Sequence, residues 1–337
     1  MRAALPRYSP LERSSSQRAP QAAHSHESTL VDAMNNRSTS YAAQNGQARW
    51  PLDFCGVPTT IQVSEARGGA RPCSGSRAAA KVRFMVDYEA DGRVAIITIR
   101  RPEARNAVNA EVAEGMEAAI DRLEEDDNVW VGIICGEGPV FSAGADLKAI
   151  AAGQAGSLIT ARGGFGGICQ RERRKPLIAA IDGPALAGGC EIALACDLIV
   201  ASSQASFGLP EVKRSLVAAA GGPFRLARVV GAKAAMEVVL TGDPITASRA
   251  YDLGMVNRLV EPGNALEAAR TLAAQIVANA PIAVWESRRL VLAAQTADDE
   301  TLWRMTADAF SSVGHTEDFA EGPRAFIEKR PAQWKGR

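Results

Sequence analysis

The stretch Ala187-Gly188-Gly189-Cys190-Glu191 indicates the fold most clearly. It follows the apolar run 177–181, which is typical of a buried strand, and its paired glycines permit a tight turn into a helix. Free amides at a helix start can hold a negatively charged oxygen. A second carboxylate, Glu211, ends the segment Phe207-Gly208-Leu209-Pro210-Glu211. If the fold brings both glutamates beside those amides, one pocket contains an acid, a base and an oxyanion site.

A second glycine turn lies upstream, at Ser142-Ala143-Gly144-Ala145-Asp146. It follows the apolar strand predicted at 129–135 and precedes a helical stretch at 147–152, so it offers another exposed amide. Two N–H groups aimed at one oxygen stabilise an enolate, and loss of one such donor costs about 3 to 4 kcal/mol of barrier. The substrate implied is a carbonyl compound such as a thioester. Asp146 is predicted to cap the following helix rather than to transfer a proton.

Together these motifs resemble the crotonase superfamily of enoyl-CoA hydratases and isomerases. The resemblance runs from about residue 85 to the C-terminus and keeps the order of the family's segments. The 142–146 turn resembles the first oxyanion loop of the family, the 183–191 segment resembles the second, and the 321–326 segment resembles the last helix.

The resemblance implies an α/β fold, a crotonase-like spiral of ββα repeats followed by a C-terminal helical oligomerisation region. The spiral core is expected at 85–280 and the helical region at 281–337. The implied assembly is a homotrimer or homohexamer.

The resemblance also implies a set of site residues. The amides of Ala143 and Gly188 are expected to form the oxyanion hole, and Glu191 and Glu211 match the catalytic carboxylates of hydratases. The remaining first-loop residues are expected at the CoA thioester: Gly144, Ala145 and Asp146. The implied chemistry needs no metal and no cofactor, since CoA is part of the substrate.

Alternative reactions stay open within this resemblance. Relatives that only shift a double bond usually keep an acid matching Glu211 and lack one matching Glu191, so the presence of both favours hydration of a 2-trans-enoyl-CoA. A non-catalytic member that binds CoA or RNA is a further alternative. Residues 1–84 hold 11 Lys or Arg against 5 Asp or Glu, which leaves the remainder with a net charge of −6. An acidic core argues against a nucleic-acid partner.

Candidates for the substrate pocket lie between the two loops. The glycine-rich stretch 151–175 supplies apolar candidates for the acyl pocket and a basic run that either meets CoA phosphates or forms a solvated helix face. Lys148 and Arg105 are weaker candidates for the same phosphates. The chain departs from the usual pattern at 213–222 and at Ala187, where a third glycine is frequent, so its acyl specificity stays open. The apolar candidates are Leu158, Ile159, Phe165 and Ile168, and the basic run is Arg171, Arg173, Arg174 and Lys175.

The first 84 residues show no sustained helical or strand period and are expected to lack a stable fold. An alternative hypothesis is that translation starts at Met85. No apolar run is long enough to span a membrane, and six cysteines without a Cys-x-x-Cys pair predict reduced thiols in a cytoplasmic protein. His315 is the single histidine after residue 84, and we expect it at the surface or in packing rather than in covalent catalysis.

Overall fold

The structure, a computed structural model, describes residues 85–337. The predictions for residues 1–84 lie outside the described residues. The strands are β1 (Val86–Asp91), β2 (Val94–Ile99), β3 (Val131–Gly136), β4 (Ile159–Thr160), β5 (Gly164–Phe165), β6 (Leu177–Ile181), β7 (Pro184–Leu186), β8 (Leu198–Ser202), β9 (Ser206–Gly208), β10 (Ile245–Thr246) and β11 (Arg258–Val260).

The helices alternate with these strands in the first part of the fold and follow one another in the last. They are α1 (Ala110–Glu125), α2 (Leu147–Ala151), α3 (Gly188–Ala195), α4 (Gly222–Val230), α5 (Ala232–Thr241), α6 (Ala247–Asp252), α7 (Ala265–Val277), α8 (Pro281–Ala293), α9 (Asp299–Gly314) and α10 (Glu317–Glu328). Short 3₁₀ helices span Pro102–Ala104, Ala155–Leu158 and Pro210–Arg214.

The main sheet has six strands in the order β1-β2-β3-β6-β8-β11. The β1–β2 hairpin is antiparallel, whereas each later pair is parallel. All five residues of β6 are buried, as expected of a parallel strand covered on both faces. This parallel-rich sheet with a helical C-terminal region confirms the predicted α/β class.

Alternate residues of the main sheet pack against different layers. Ile133 and Ile178 belong to a cluster that includes Ala265, Ala269 and Ala273 of α7, where small side chains allow helix and sheet to lie close. The neighbouring strand residues point to the opposite side and join the larger core beneath α1. The apolar stripe of residues 110–125 predicts a helix with the bounds that α1 has. Asn109 caps this helix by accepting from the Val112 amide at 3.0 Å, and the stripe is buried.

A small second sheet, in the order β10-β9-β7, brings the two glutamate segments together. Strands β7 and β9 are parallel, with Leu186 opposite Gly208. The chain therefore leaves both strands at the same edge, into Ala187 on one side and Leu209 on the other. The Ala187 amide donates to the Gly208 carbonyl at 2.9 Å and fixes this junction. Glu191 and Glu211 follow within a few residues of it.

The C-terminal part of the chain is helical from α7 to α10. In the described part of the chain, no helix is long and apolar enough to cross a membrane. The four cysteines of this part, Cys135, Cys169, Cys190 and Cys196, are free thiols.

Candidate active site

Glu191 lies in the first turn of α3, whose start is held by close backbone packing. A Cβ atom added to Gly189 would lie 2.2 Å from the Ser142 carbonyl oxygen, so the helix start and the first glycine loop can touch only without a side chain there. Ala187 carries a positive φ of 52°, a conformation that glycine adopts at less cost. The absence of the expected third glycine at Ala187 therefore leaves backbone strain beside the site rather than a different turn.

The Glu191 carboxylate is held by a segment that the sequence patterns did not single out as functional. The side chain is 3% exposed, and its Oε1 accepts from the amides of Ala220 at 2.8 Å and Gly222 at 2.9 Å. Burial raises the pKa of Glu191, while the two amides and the nearby Arg225 guanidinium oppose that rise. Glu191 is thus buried but supplied with donors that favour its ionised form.

Glu211 begins differently, in the 3₁₀ helix Pro210–Arg214. Its Oε2 is buried and has no hydrogen-bond partner within residues 85–337. Burial raises the pKa of Glu211, and the negative charge of Glu191 raises it further. The Glu211 backbone amide and the Arg214 charge oppose that rise. The two carboxyls differ in hydrogen bonding, because Glu191 accepts from two loop amides whereas Oε2 of Glu211 accepts from none among residues 85–337.

Both glutamates line one cavity of about 690 Å³. Its wall also includes Ala143, Ala145 and Asp146 from the first glycine loop and Gly188 from the second. The sequence-predicted residues of both loops therefore meet at a single site. Gly144 of the first loop packs directly against the second, since a Cβ atom on Gly144 would lie 2.7 Å from the Gly188 nitrogen.

The structure corrects one of the two predicted oxyanion donors. The Ala143 amide donates to the Arg105 carbonyl at 3.0 Å, so it is already used within the fold. Two residues later, the Ala145 amide has no protein acceptor among the described residues, and the same holds for Gly188. Both Ala145 and Gly188 line the cavity. The free pair of amides is therefore Ala145 and Gly188.

Asp146 caps α2, as predicted. Its carboxylate accepts from the Lys148 amide at 2.9 Å and pairs with Arg101 at 2.7 Å. Burial works against the charged form, but the Arg101 and Lys148 hydrogen bonds outweigh it and lower the pKa of Asp146. A carboxylate held ionised by these partners is a poor proton donor, although it lies at the cavity wall.

Most of the predicted acyl-pocket residues line the cavity. Leu158, Ile159 and Phe165 contribute to its wall, together with Leu147 and Ile150 of α2. The prediction for Ile168 is wrong, because this side chain does not line the cavity and packs in the main core instead.

The basic run is engaged in structural contacts away from the cavity. Arg171 pairs with Asp121, Arg173 pairs with Asp197, and Arg174 lies over the Trp285 ring. Lys175 is fully buried and donates to the carbonyls of Leu123 and Asp126. Both interpretations of this run, as CoA contacts and as a solvated helix face, are therefore wrong. The weaker candidates Arg105 and Lys148 line the cavity instead.

Sequence reasoning missed helix α4 and the loop before it. Gly221-Gly222-Pro223 was the available signal, because a glycine with positive φ followed by proline in the first turn often starts a helix. Arg225 of α4 donates to the carbonyls of Ala220 and Cys169 and so stabilises the loop whose amides hold Glu191. His315 is exposed at the end of α9, outside this site, as predicted.

A parallel-rich sheet, two touching glycine loops and two carboxyls in one cavity define a crotonase-type protein. The model of the enoyl-CoA hydratase/isomerase family matches residues 89–337, and the chain belongs to this family.

Named relatives agree with this membership. The chain is 39% identical over 253 residues to the short-chain-enoyl-CoA hydratase of Clostridium acetobutylicum, covering 73% of this chain and 95% of the relative. It is 39% identical over 252 residues to the carnitinyl-CoA dehydratase of Salmonella arizonae, covering 73% and 96%. Among solved structures, an enoyl-CoA hydratase from Mycobacterium tuberculosis superimposes with a TM-score of 0.73 at 45% identity, covering 76% of this chain and all of that one.

Proposed function

We propose that the protein adds water across the 2-trans double bond of an enoyl-CoA thioester to give 3-hydroxyacyl-CoA. The observation that carries this proposal is the presence of Glu191 and Glu211 in one cavity with the free amides of Ala145 and Gly188. The names of the related hydratase and dehydratase describe addition or removal of water, which supports the same chemistry here.

The two free amides supply the electrostatic part of the proposed mechanism. The thioester oxygen accepts from Ala145 N–H and Gly188 N–H, and these donors stabilise the enolate that forms when C3 is attacked. Because the amides belong to packed loops, they need little reorganisation as charge develops. Each donor is expected to contribute roughly 3 to 4 kcal/mol to stabilisation of the transition state.

The different environments of the glutamates assign the proton transfers. Glu191, held by the Ala220 and Gly222 amides, is ionised and acts as the base. Glu211, with a buried oxygen lacking a partner among residues 85–337, keeps its proton and acts as the acid. Two carboxyls with environments that separate their pKa values are typical of an acid and base pair.

The proposed reaction balances without another reactant. Water oxygen bonds to C3 as one water proton passes to Glu191, and the electrons of the double bond move to the thioester oxygen as an enolate. The enolate then collapses and takes the Glu211 proton at C2. A proton returns from Glu191 to Glu211 before the next turnover, so the net change is addition of water.

The rest of the cavity supports a CoA ester as the substrate. Arg105 and Lys148 line the wall beside the first glycine loop, and their positive charges suit the CoA phosphates. Leu158, Ile159 and Phe165 offer an apolar surface to the acyl chain.

We also propose that the chain forms a homotrimer or homohexamer. Large apolar side chains on α9 and α10 are exposed in the single chain: Trp303 by 74%, Phe310 by 70%, Phe326 by 85% and Ile327 by 77%. Exposed apolar side chains concentrated on adjacent helices support burial against another copy. Light scattering after size exclusion should give three or six times the mass of one chain, and a monomer would contradict the proposal.

The function is tested by following the loss of the enoyl absorbance of crotonyl-CoA with the parent and with Glu191→Gln and Glu211→Gln. Each substitution removes a proton-transfer group while keeping side-chain size, so kcat is expected to fall by about 10² to 10⁴. Glu237→Gln, at an exposed position of α5 outside the cavity, is the matched control and should keep parental activity.

Two outcomes contradict the hydratase, and a third contradicts only its mechanism. Binding of CoA esters without turnover would favour a non-catalytic member. Full hydration by Glu191→Gln would remove the two-carboxylate mechanism. Double-bond migration in a 3-enoyl-CoA, with Glu191→Gln as active as the parent, would establish an isomerase.

A further inference from the structure

Arg214 is an exposed cation on the glutamate side of the cavity that the proposed mechanism does not use. It is the last residue of the 3₁₀ helix Pro210–Arg214, and Glu211 lies three residues before it. A 3₁₀ helix has three residues per turn, so both side chains leave the same side of the helix, roughly 6 Å apart along its axis. Both residues line the same cavity.

Arg214, like the cavity cations Arg105 and Lys148, has no partner for its side chain among the described residues, unlike Lys213 and Arg101. Within residues 85–337 its guanidinium makes no ion pair and no hydrogen bond. The adjacent Lys213 pairs with Asp243, outside the cavity, and Arg101 of the cavity wall pairs with Asp146. Five N–H donors on Arg214 are thus available to a bound molecule.

Arg214 reaches the cavity from a different segment than the groups suited to CoA phosphates. Arg105 and Lys148 flank the first glycine loop, whereas Arg214 follows Glu211 and precedes Leu216 and Val217, which continue the same wall. Glu211 acts at the double bond in the proposed mechanism. A group one helical turn beyond Glu211 is therefore placed to meet the acyl chain past C3.

We infer that Arg214 is a specificity residue that selects enoyl-CoA substrates whose acyl chain ends in a carboxylate. This inference rests on the proposed hydratase function. The planar guanidinium matches a carboxylate with two parallel hydrogen bonds, and the apolar wall at Leu158 and Phe165 accommodates the methylene groups between the double bond and that carboxylate.

The same charge disfavours an acyl chain with a cationic end. Carnitine carries a quaternary ammonium group, and several relatives at about 40% identity are named carnitinyl-CoA dehydratases. A positive side chain one turn from Glu211 repels such a group. The chain is therefore expected to share the water chemistry of those relatives and to differ from them in the charge that it accepts.

The test compares three 2-enoyl-CoA esters that differ in the end of the acyl chain. They are 2-hexenedioyl-CoA, which ends in a carboxylate, neutral 2-hexenoyl-CoA, and crotonobetainyl-CoA, which ends in a quaternary ammonium. The parent should give the highest kcat/KM with the carboxylate and the lowest with the cation. Arg214→Gln should lower the carboxylate-to-neutral ratio by about tenfold, and Lys213→Gln, the neighbouring control, should change it less than twofold.

Binding of unreactive esters separates this inference from the proposed function. Calorimetry with hexanedioyl-CoA and hexanoyl-CoA should show tighter binding of the carboxylate by the parent and loss of that preference in Arg214→Gln. If this pattern appears without turnover, the hydratase proposal fails and the specificity stands. An unchanged preference in Arg214→Gln overturns the inference, and so does an equal loss of affinity for both esters, which would place Arg214 at the CoA moiety.

Discussion

Two segments carry the paired glutamates into the cavity, and they are constrained to different degrees. Ala187–Glu191 is packed between the first glycine loop and β9, with Gly189 against the Ser142 carbonyl. In Val212–Val217, after Glu211, every residue is exposed. A substitution at Gly189 must displace backbone, whereas a substitution at Arg214, Leu216 or Val217 changes a side chain that lines the cavity. The comparison indicates that the first segment fixes the chemistry and the second adjusts the substrate.

Among the substitutions considered, Gly189→Ala should disturb the site most strongly. The added methyl group would lie 2.2 Å from the Ser142 carbonyl oxygen, so the two glycine loops must move apart and the Ala145 and Gly188 amides lose their alignment. We expect kcat/KM for crotonyl-CoA to fall by at least about 10²-fold and the unfolding free energy to fall by roughly 1 to 3 kcal/mol. Steady-state kinetics and denaturant unfolding measure the two effects.

Gly314→Ala is the matched control for that substitution. Gly314 lies at the end of α9, its φ is not positive, and a Cβ atom there meets nothing within 4 Å. Alanine is a better helix former than glycine, so stability should be equal or slightly higher and activity should be parental. If Gly189→Ala were as active and stable as Gly314→Ala, the close packing of the first segment would not constrain the site.

The sequence alone predicts those helices and strands that have a clear cap or a continuous apolar pattern. Helix α1 has the predicted bounds because an asparagine cap precedes a continuous apolar stripe, and β6 has the predicted bounds because its five apolar residues are covered on both faces. Helix α4 is only nine residues long, so its apolar side is too short to stand out as a helical pattern, and sequence reasoning missed it. Its glycine and proline start signal was present, but it fell within a segment noted only as a departure from the family pattern.

The errors at the site come from contacts that no local pattern specifies. The family resemblance assigned the first donor to Ala143, but the Ala143 amide donates to the Arg105 carbonyl, whereas the Ala145 amide has no acceptor among the described residues. The basic run has the charge that CoA requires, but Asp121 and Asp197 lie on distant elements and engage its arginines. Charge and turn type were predictable, whereas the partner of each group depended on the tertiary fold.

The exposed segment should have a smaller effect, which is seen in the pH dependence of hydration. In the proposed mechanism Glu211 must carry a proton, so the rate should fall tenfold per pH unit above the raised pKa of Glu211. The positive charge of Arg214 favours the ionised carboxylate and lowers this pKa, so Arg214→Gln should raise it and move the alkaline limb to higher pH.

Lys213, paired with Asp243 outside the cavity, provides the control, and Lys213→Gln should leave the limb in place. A kcat profile measured with crotonyl-CoA detects the shift. A limb that moves to lower pH in Arg214→Gln, or equally in both variants, would show that the Arg214 charge does not act on the Glu211 acid.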